Sequence, residues 1–125
     1  MASILIIDDD PQILVMLGQI LEREGYEVVE ASNGKEGLKL YRENPTDLVI
    51  TDLIMPEKEG IETIMELRRN FQDVKIIAIS GGGQIDAEQY LSMAQKLGVE
   101  KTFAKPVVRA ELLKVLRGLF NQKNY

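Results

Sequence analysis

Three consecutive carboxylates, Asp8, Asp9 and Asp10, directly follow the apolar run at residues 4–7. Two like unit charges about 4 Å apart repel by roughly 4 kcal/mol at an effective dielectric constant near 20, so crowded carboxylates require a counter-ion. Carboxylate oxygens are ligands of hard cations such as Mg²⁺. The chain has no His and no Cys to hold a softer metal. This stretch therefore predicts a Mg²⁺ site.

Three later apolar runs also end in a side chain that can do chemistry, namely Asp52, Ser80 and Lys105. A carboxylate can act as a nucleophile, and a hydroxyl and an ammonium can bind phosphoryl oxygens. Carboxylates that are not the nucleophile can hold Mg²⁺. Together with Asp8 and Asp9, this set suits a metal-bound phosphoryl group, if the fold brings the ends of these runs together.

The elements that must position these groups alternate strictly between two types. Apolar runs predict strands, and the segments between them have the periodicity of amphipathic helices. Such alternation predicts an α/β fold with a doubly wound, five-stranded parallel sheet and helices on both faces. Ligands of such sheets bind beyond the carboxyl ends of the strands, where the chemical groups lie. The predicted strands are residues 3–7, 27–31, 47–51, 74–79 and 100–104, and the predicted helices are residues 11–24, 34–43, 61–70, 87–97 and 109–121.

Local signals mark the ends of several predicted helices. Asp10 is expected to cap the first helix rather than to bind a metal, because Pro11 follows at the favoured first helical position. Gly25 and Gly98 are expected to end the first and fourth helices. On the third helix, the periodicity assigns to the buried face Ile61, Ile64, Met65, Leu67 and Phe71.

Composition narrows the class of protein. The 125 residues are 45% hydrophobic, which predicts one globular domain over residues 1–125 with a substantial core. A net charge of −5 disfavours direct binding to nucleic acid, because no basic excess is present to displace its counter-ions. No signal peptide and no run of 18 apolar residues is present in the sequence. We therefore expect a cytoplasmic protein without membrane contact.

The segments that carry the chemical groups resemble the receiver domain of two-component response regulators (CheY-like). The likeness extends over essentially the whole chain, and its five chemical positions occur in the family's order. It implies the flavodoxin-like strand order 2-1-3-4-5. The segments are residues 5–9 (LIIDD), 50–56 (ITDLIMP) with Gly60, 79–81 (ISG) and 104–106 (AKP).

The resemblance implies a role for each matching residue. Asp52 matches the phosphoacceptor, which takes a phosphoryl group from a phosphohistidine of a sensor histidine kinase or a phosphotransfer protein. Asp8 and Asp9 match the acidic pair that holds Mg²⁺, Asp9 as a direct ligand, with Asp52 and the backbone carbonyl of Ile54 as further ligands.

Two further matches concern phosphoryl binding. Ser80 matches the switch hydroxyl, and Lys105 matches the lysine that pairs with the phosphoryl group. The bond from Lys105 to Pro106 matches a cis peptide bond, which X–Pro sequences tolerate at about 0.5–1 kcal/mol. The implied output is a changed surface on the fourth helix, fifth strand and fifth helix. Its implied partner is a downstream protein, or a second copy of the chain in a homodimer.

The sequence departs from the family at one switch position. The family often places an aromatic residue three positions before the lysine, where this chain has Thr102, and Phe103 follows it. Threonine has no ring that can swing between two positions. Coupling to the output surface is therefore predicted to depend more on Ser80 than on Thr102.

Three alternatives compete with a phosphorylation-dependent switch. Asp8 to Asp10 could be the first motif of a haloacid-dehalogenase-like phosphatase, with Ser80 and Lys105 in its later motifs. Such a phosphatase would need a second acidic pair late in the sequence and a cap domain, neither of which is found in the 125 residues, and this interpretation leaves Asp52 unexplained. A flavodoxin-like carrier is disfavoured because no Ser/Thr-rich phosphate loop follows the first strand. A phosphorylation-independent interaction module would require that Asp52 never accept phosphate.

Overall fold

Strand and helix alternate strictly in the computed structural model, which describes residues 2–53, 59–80 and 87–120. The order is β1 (Ser3–Ile7), α1 (Pro11–Arg23), β2 (Glu27–Ala31), α2 (Gly34–Glu43), β3 (Leu48–Asp52), α3 (Glu59–Asn70), β4 (Ile76–Ser80), α4 (Ala87–Lys96), β5 (Lys101–Ala104) and α5 (Arg109–Phe120). The described ends of these elements agree with the prediction to within two residues. The predicted last residue of α5, Asn121, lies outside the described residues.

The sheet has the predicted topology. Its five strands are all parallel and lie in the order β2-β1-β3-β4-β5. The strand order reverses between β1 and β3, so the switch point at which such sheets bind ligands lies between the ends of these two strands. Ile7 is in register with Thr51 there, which sets Asp8 beside Asp52.

The core forms two layers, one on each face of the sheet. The β1 and β3 side chains alternate between the layers, and both strands are buried almost throughout, as parallel strands covered on both faces require. One layer contacts α2, α3 and α4 through residues such as Leu5, Val49, Ile64, Leu67 and Ala94. The other contacts α1 and α5 through residues such as Ile6, Ile50, Leu17, Leu21 and Leu116.

One predicted core residue is exposed. Met65 on α3 was assigned to the buried face, but 43% of its surface is accessible, and Thr63 is buried instead. The periodicity placed the apolar face on Ile61, Ile64 and Leu67 correctly. Met65 lies at the edge of that face, where tertiary packing decides burial.

The ends of the helices follow the local signals. The side chain of Asp10 caps α1 by accepting a hydrogen bond from the amide of Gln12 (2.9 Å), with Pro11 at the start of the helix. Gly25 (φ 93°) and Gly98 (φ 80°) follow α1 and α4 in the left-handed conformation that glycine adopts readily. In the described part of the chain, the helices fall short of the length and apolarity needed to cross a membrane.

Candidate functional site

Backbone hydrogen bonds continue past the ends of the central strands and hold the following residues at one edge of the sheet. The amide of Leu53 donates to the carbonyl of Ile79 (2.8 Å). The amide of Lys105 donates to the carbonyl of Ser80 (2.8 Å). The carboxyl ends of β3, β4 and β5 are therefore held at fixed positions relative to one another.

Lys105 joins two of the carboxylates at this edge. Its Nζ lies 3.0 Å from Oδ2 of Asp52 and 3.2 Å from Oδ2 of Asp8. Both aspartates are almost completely buried, at 4% and 1% exposed, whereas the Lys105 side chain retains 20% of its exposure. Buried charges are costly unless they are paired, so the ammonium is the counter-charge that this arrangement needs.

The carboxylates form a cluster that could hold a hard cation. One oxygen from each of Asp8, Asp9 and Asp52 lies within 4.8 Å of the others. Asp9 is exposed, which leaves the cluster open to solvent on one side. Mg²⁺ prefers oxygen ligands and keeps several of its waters, so this donor set fits the ion. The carbonyl of Ile54, expected as a further ligand, lies outside the described residues.

Asp10 supports the cluster without joining it. Its amide donates a hydrogen bond to Oδ1 of Asp8 (2.9 Å), while its side chain caps α1. The orientation of the Asp8 carboxylate is therefore fixed by the first turn of the chain beyond β1. The sequence predicted the cap but not this backbone contact, because all residue types except proline have the same backbone amide.

Burial dominates the electrostatics of Asp8. Loss of solvent raises the pKa of its carboxyl group above 3.8, and the negative charge of Asp9 adds to that effect. The hydrogen bond from the amide of Asp10 and the charge and hydrogen bond of Lys105 oppose the increase in pKa without cancelling it. The ionised Asp8 thus retains an unmet demand for positive charge, which a divalent cation would satisfy.

For Lys105, the neighbouring charges rather than burial decide the direction of the pKa shift. Burial by itself lowers the pKa of its ammonium group, but the hydrogen bonds and charges of Asp52 and Asp8 outweigh burial and raise the pKa above 10.5. The side chain therefore stays protonated at neutral pH and can pair with an anionic group.

Ser80 is at the same edge, at the last position of β4. It is fully buried, and its register partner on β5 is Ala104, the residue before Lys105. The predicted hydroxyl and ammonium groups thus lie on neighbouring strands that are bonded directly through the backbone.

Gly60, which the sequence analysis used only as part of the family resemblance, lies at the site. A β-carbon on this residue would lie 2.6 Å from Cα of Leu53 and closer still to the carbonyl oxygen of Asp52. The first turn of α3 therefore lies directly against the backbone that carries Asp52. The sequence cannot reveal this contact, because the contact is made between the backbones of two segments rather than between side chains.

The two residues near the expected aromatic switch face opposite sides of the sheet. Phe103 is buried in the layer formed with α1 and α5. Thr102 is in register with Ala78, a residue of the layer that contacts α4. Since parallel register partners share a face, position 102 is the one that faces α4. Phe103 therefore does not supply a ring on that side.

A family comparison agrees with this geometry. The family model of the response regulator receiver domain matches residues 4–117 of this chain. The chain belongs to this family. The receiver assignment uses Asp52, which the phosphatase alternative left unexplained and which the structure places beside Asp8 and Lys105.

Individual relatives support the receiver assignment. The chain is 35% identical to the chemotaxis protein CheY of Thermotoga maritima over 114 residues, which cover 90% of this chain and 92% of that protein. It is 30% identical to the transcriptional regulatory protein CpxR of Klebsiella pneumoniae over all 125 residues. That match covers 52% of CpxR, so the receiver spans about half the length of this relative.

A solved receiver has the same fold and carries a bound ion. The response regulator TrrA of Thermotoga maritima, crystallised in complex with Mg²⁺-BeF, superposes with a TM-score of 0.83 at 33% identity. The match covers 96% of this chain and 100% of that one. The flavodoxin-like receiver fold predicted from the sequence is thus confirmed.

Proposed function

We propose that this receiver is a phosphorylation-dependent switch in a two-component phosphorelay, with Asp52 as the phosphoacceptor. The supporting observation is the contact of Lys105 with both Asp52 and Asp8 within a cluster of three carboxylates. The donor is a phosphohistidine of a sensor histidine kinase or a phosphotransfer protein.

In the proposed reaction, a carboxylate oxygen of Asp52 attacks phosphorus. The phosphorus–nitrogen bond to the donor imidazole breaks, and the nitrogen keeps the electron pair. In this proposal Asp8 and Asp9 would hold Mg²⁺, with Asp52 and the Ile54 carbonyl as further ligands, and the ion when bound would neutralise charge on the phosphoryl oxygens.

The phosphoryl group then competes for the polar groups around it. The Lys105 ammonium and the Ser80 hydroxyl each bind a phosphoryl oxygen in this proposal. Shifting a two-state equilibrium from 1:99 to 99:1 needs roughly 5.5 kcal/mol, and a hydrogen bond to a charged group contributes about 1.5–3 kcal/mol. Two such bonds are therefore of the right size to drive a switch.

The output in this proposal is the surface of α4, β5 and α5, because Ser80 is the last residue of β4 and Lys105 directly follows β5. The occupant is a downstream protein, with a homodimer through the same surface as the alternative. Direct nucleic-acid binding is not proposed, since the chain carries a net charge of −5. The proposal treats residues 1–125 as one receiver domain acting in the cytoplasm, where its phosphodonor lies.

Mass spectrometry after incubation with Mg²⁺ and acetyl phosphate tests the phosphoacceptor. The wild type should gain one phosphoryl group, and Asp52→Asn should gain none. Asp73→Asn is the matched control, because Asp73 is an exposed aspartate remote from the cluster, and it should be labelled like the wild type. Equal labelling of Asp52→Asn would contradict the proposal.

A separate assay tests the phosphatase alternative. Turnover of a phosphomonoester that is lost in Asp8→Asn, with no label on Asp52, would favour that alternative. The receiver proposal expects no such turnover.

A further inference from the structure

The guanidinium of Arg68 on α3 binds three backbone carbonyls that belong to two other segments. Its Nε donates to the carbonyl of Leu97 (3.0 Å), Nη1 donates to that of Val74 (2.6 Å), and Nη2 donates to that of Gly98. The donors of a guanidinium lie in one rigid plane. The three carbonyls are therefore held in a set arrangement by a single side chain.

Two of these carbonyls lie just beyond the carboxyl end of α4. The amides of Gly98 and Val99 donate back to the carbonyls of Gln95 (3.0 Å) and Ala94 (3.4 Å), which forms a Schellman ending. That ending leaves the carbonyls of Leu97 and Gly98 directed away from the helix. A cation at this end also interacts favourably with the helix dipole. Through its hydrogen bonds to Leu97 and Gly98, Arg68 therefore ties the end of α4 to α3.

The same carbonyls mark the starts of two strands. Val74 precedes β4, and Leu97 and Gly98 precede β5. β4 ends at Ser80, and β5 ends at Ala104, directly before Lys105. A strand of five residues is about 17 Å long, so Arg68 acts at the opposite edge of the sheet from the proposed phosphoryl site.

β4 and β5 are bonded to each other near both edges of the sheet. The amide of Glu100 donates to the carbonyl of Ile76 (2.7 Å) at the start, and the amide of Lys105 donates to the carbonyl of Ser80 (2.8 Å) at the end. The two strands are therefore linked to each other from the edge where Arg68 binds to the edge where Ser80 and Lys105 lie.

We propose that Arg68 is a positioning residue that sets the placement of the β4–β5 pair and, through it, of Ser80 and Lys105 for phosphoryl binding. This inference rests on the proposed function of those two residues. It adds a remote determinant of phosphoryl affinity that touches neither Asp52 nor the metal cluster.

The adjacent Arg69 provides a matched control. It lies on the same helix, carries the same charge and is exposed, so Arg69→Met changes net charge and helix composition exactly as Arg68→Met does. Arg68→Lys keeps the charge, but an ammonium cannot hold three carbonyls in the planar geometry of a guanidinium.

Binding of beryllofluoride in the presence of Mg²⁺, followed by fluorine NMR, measures the phosphoryl site directly. The titrations are made at a temperature where amide exchange shows that each variant is folded. Remote substitutions in coupled networks change coupling by amounts that correspond to about two- to thirtyfold in affinity. We expect Arg68→Met to weaken beryllofluoride binding within that range, Arg68→Lys to weaken it less, and Arg69→Met to leave it unchanged.

Amide exchange of the unmodified protein measures the contact itself. Arg68→Met should lower protection at Gly98, Val99 and Glu100, whereas Arg69→Met should not. If Arg68→Met lowers the melting temperature yet binds beryllofluoride as tightly as Arg69→Met, Arg68 is purely structural and the inference is wrong. A wild type that binds beryllofluoride separates that result from failure of the proposed function, in which the wild type itself would bind none.

Discussion

Gly60 lies against the backbone of Asp52 so closely that the position has no room for a β-carbon. An added methyl group would lie well within 3.0 Å of the Asp52 carbonyl oxygen and of two backbone atoms of Leu53. Since the obstacles are backbone atoms, a side-chain rotation cannot relieve the clash. The placement of the proposed phosphoacceptor thus depends on a glycine eight positions further along the chain.

Gly60→Ala should therefore destabilise the protein by about 1–3 kcal/mol, the cost of overpacking a well-packed site, and should slow labelling of Asp52 by acetyl phosphate. The control is Gly118→Ala in α5, where an added β-carbon meets nothing within 4 Å. That change should stabilise the helix by roughly 0.5–1 kcal/mol. Chemical denaturation measures both variants, and equal stability of the two would contradict the steric argument.

Asp8→Asn should stabilise the protein in the absence of Mg²⁺ at neutral pH. Burial raises the pKa of Asp8 above 3.8 in the folded state, so ionisation of this group opposes folding. The stability associated with the protonated Asp8 carboxyl group is fully present below pH 3.8 and is lost as the pH rises through the folded-state pKa. In denaturation experiments with EDTA, the free energy of unfolding that Asp8→Asn gains over the wild type should accordingly decrease as the pH falls. An advantage that grows on acidification would contradict the assigned direction.

Asp9→Ala and Asp10→Ala should separate metal binding from helix capping. A Mg²⁺ concentration 100 times the Kd stabilises a folded protein by about 2.7 kcal/mol. Most of that gain should be lost in Asp9→Ala, because the exposed Asp9 carboxylate belongs to the metal cluster. Asp10→Ala should lower stability by about 1 kcal/mol through loss of the cap, with the Mg²⁺ gain retained. The two variants are compared by thermal unfolding over a Mg²⁺ titration, and loss of the gain in Asp10→Ala alone would reverse the assignment.

Lys105→Met should destabilise the metal-free protein, because it leaves the buried carboxylates of Asp8 and Asp52 without their ammonium partner. Removing one partner of a fully buried pair costs about 3–5 kcal/mol, and the partial exposure of Lys105 reduces the expected cost to about 1–3 kcal/mol. Mg²⁺ should recover part of this loss. Lys101→Met, an exposed position on β5, is the control and should have little effect. Denaturation with EDTA and with Mg²⁺ gives the comparison, and a stable Lys105→Met in EDTA would refute the argument.

The pH dependence of the Lys105 contribution has the same sign as that of Asp8, because both folded-state pKa values are raised, but it falls in an alkaline rather than an acidic pH range. Its pKa is raised above 10.5 in the folded state. The stabilisation is therefore complete below pH 10.5 and is lost as the pH rises through the folded-state value.

Ser80→Ala should weaken beryllofluoride binding by about tenfold or more, because a hydrogen bond to a charged group contributes about 1.5–3 kcal/mol. Thr102→Ala should change the affinity less, since Thr102 faces α4 from the middle of β5 rather than ending a strand at the site. Fluorine NMR titration compares the two. A larger effect at Thr102 than at Ser80 would show that position 102 carries the switch despite lacking a ring.

Much of the fold could be predicted because its signals are local and repeat along the chain. Alternating apolar runs and helical periodicity located each element, and Asp10, Gly25 and Gly98 marked helix ends by their own backbone preferences. Met65 was misassigned because periodicity sets the direction of a helical face, whereas its width depends on the neighbouring elements.

What the sequence by itself determined was which side chains end the strands. Parallel strands bring their carboxyl ends to one edge, so the sequence pattern alone groups Asp8, Asp52, Ser80 and Lys105. Their residue types then indicated phosphoryl and Mg²⁺ chemistry.

Only the tertiary structure decided how those groups are held. It showed that Lys105 pairs with both Asp8 and Asp52, that Gly60 lies against the Asp52 carbonyl, and that Arg68 binds backbone carbonyls in the segments that precede β4 and β5. These contacts join backbone groups or residues far apart in the chain. Backbone amides and carbonyls are the same in every residue type apart from the amide that proline lacks, so a sequence pattern cannot reveal which of them meet.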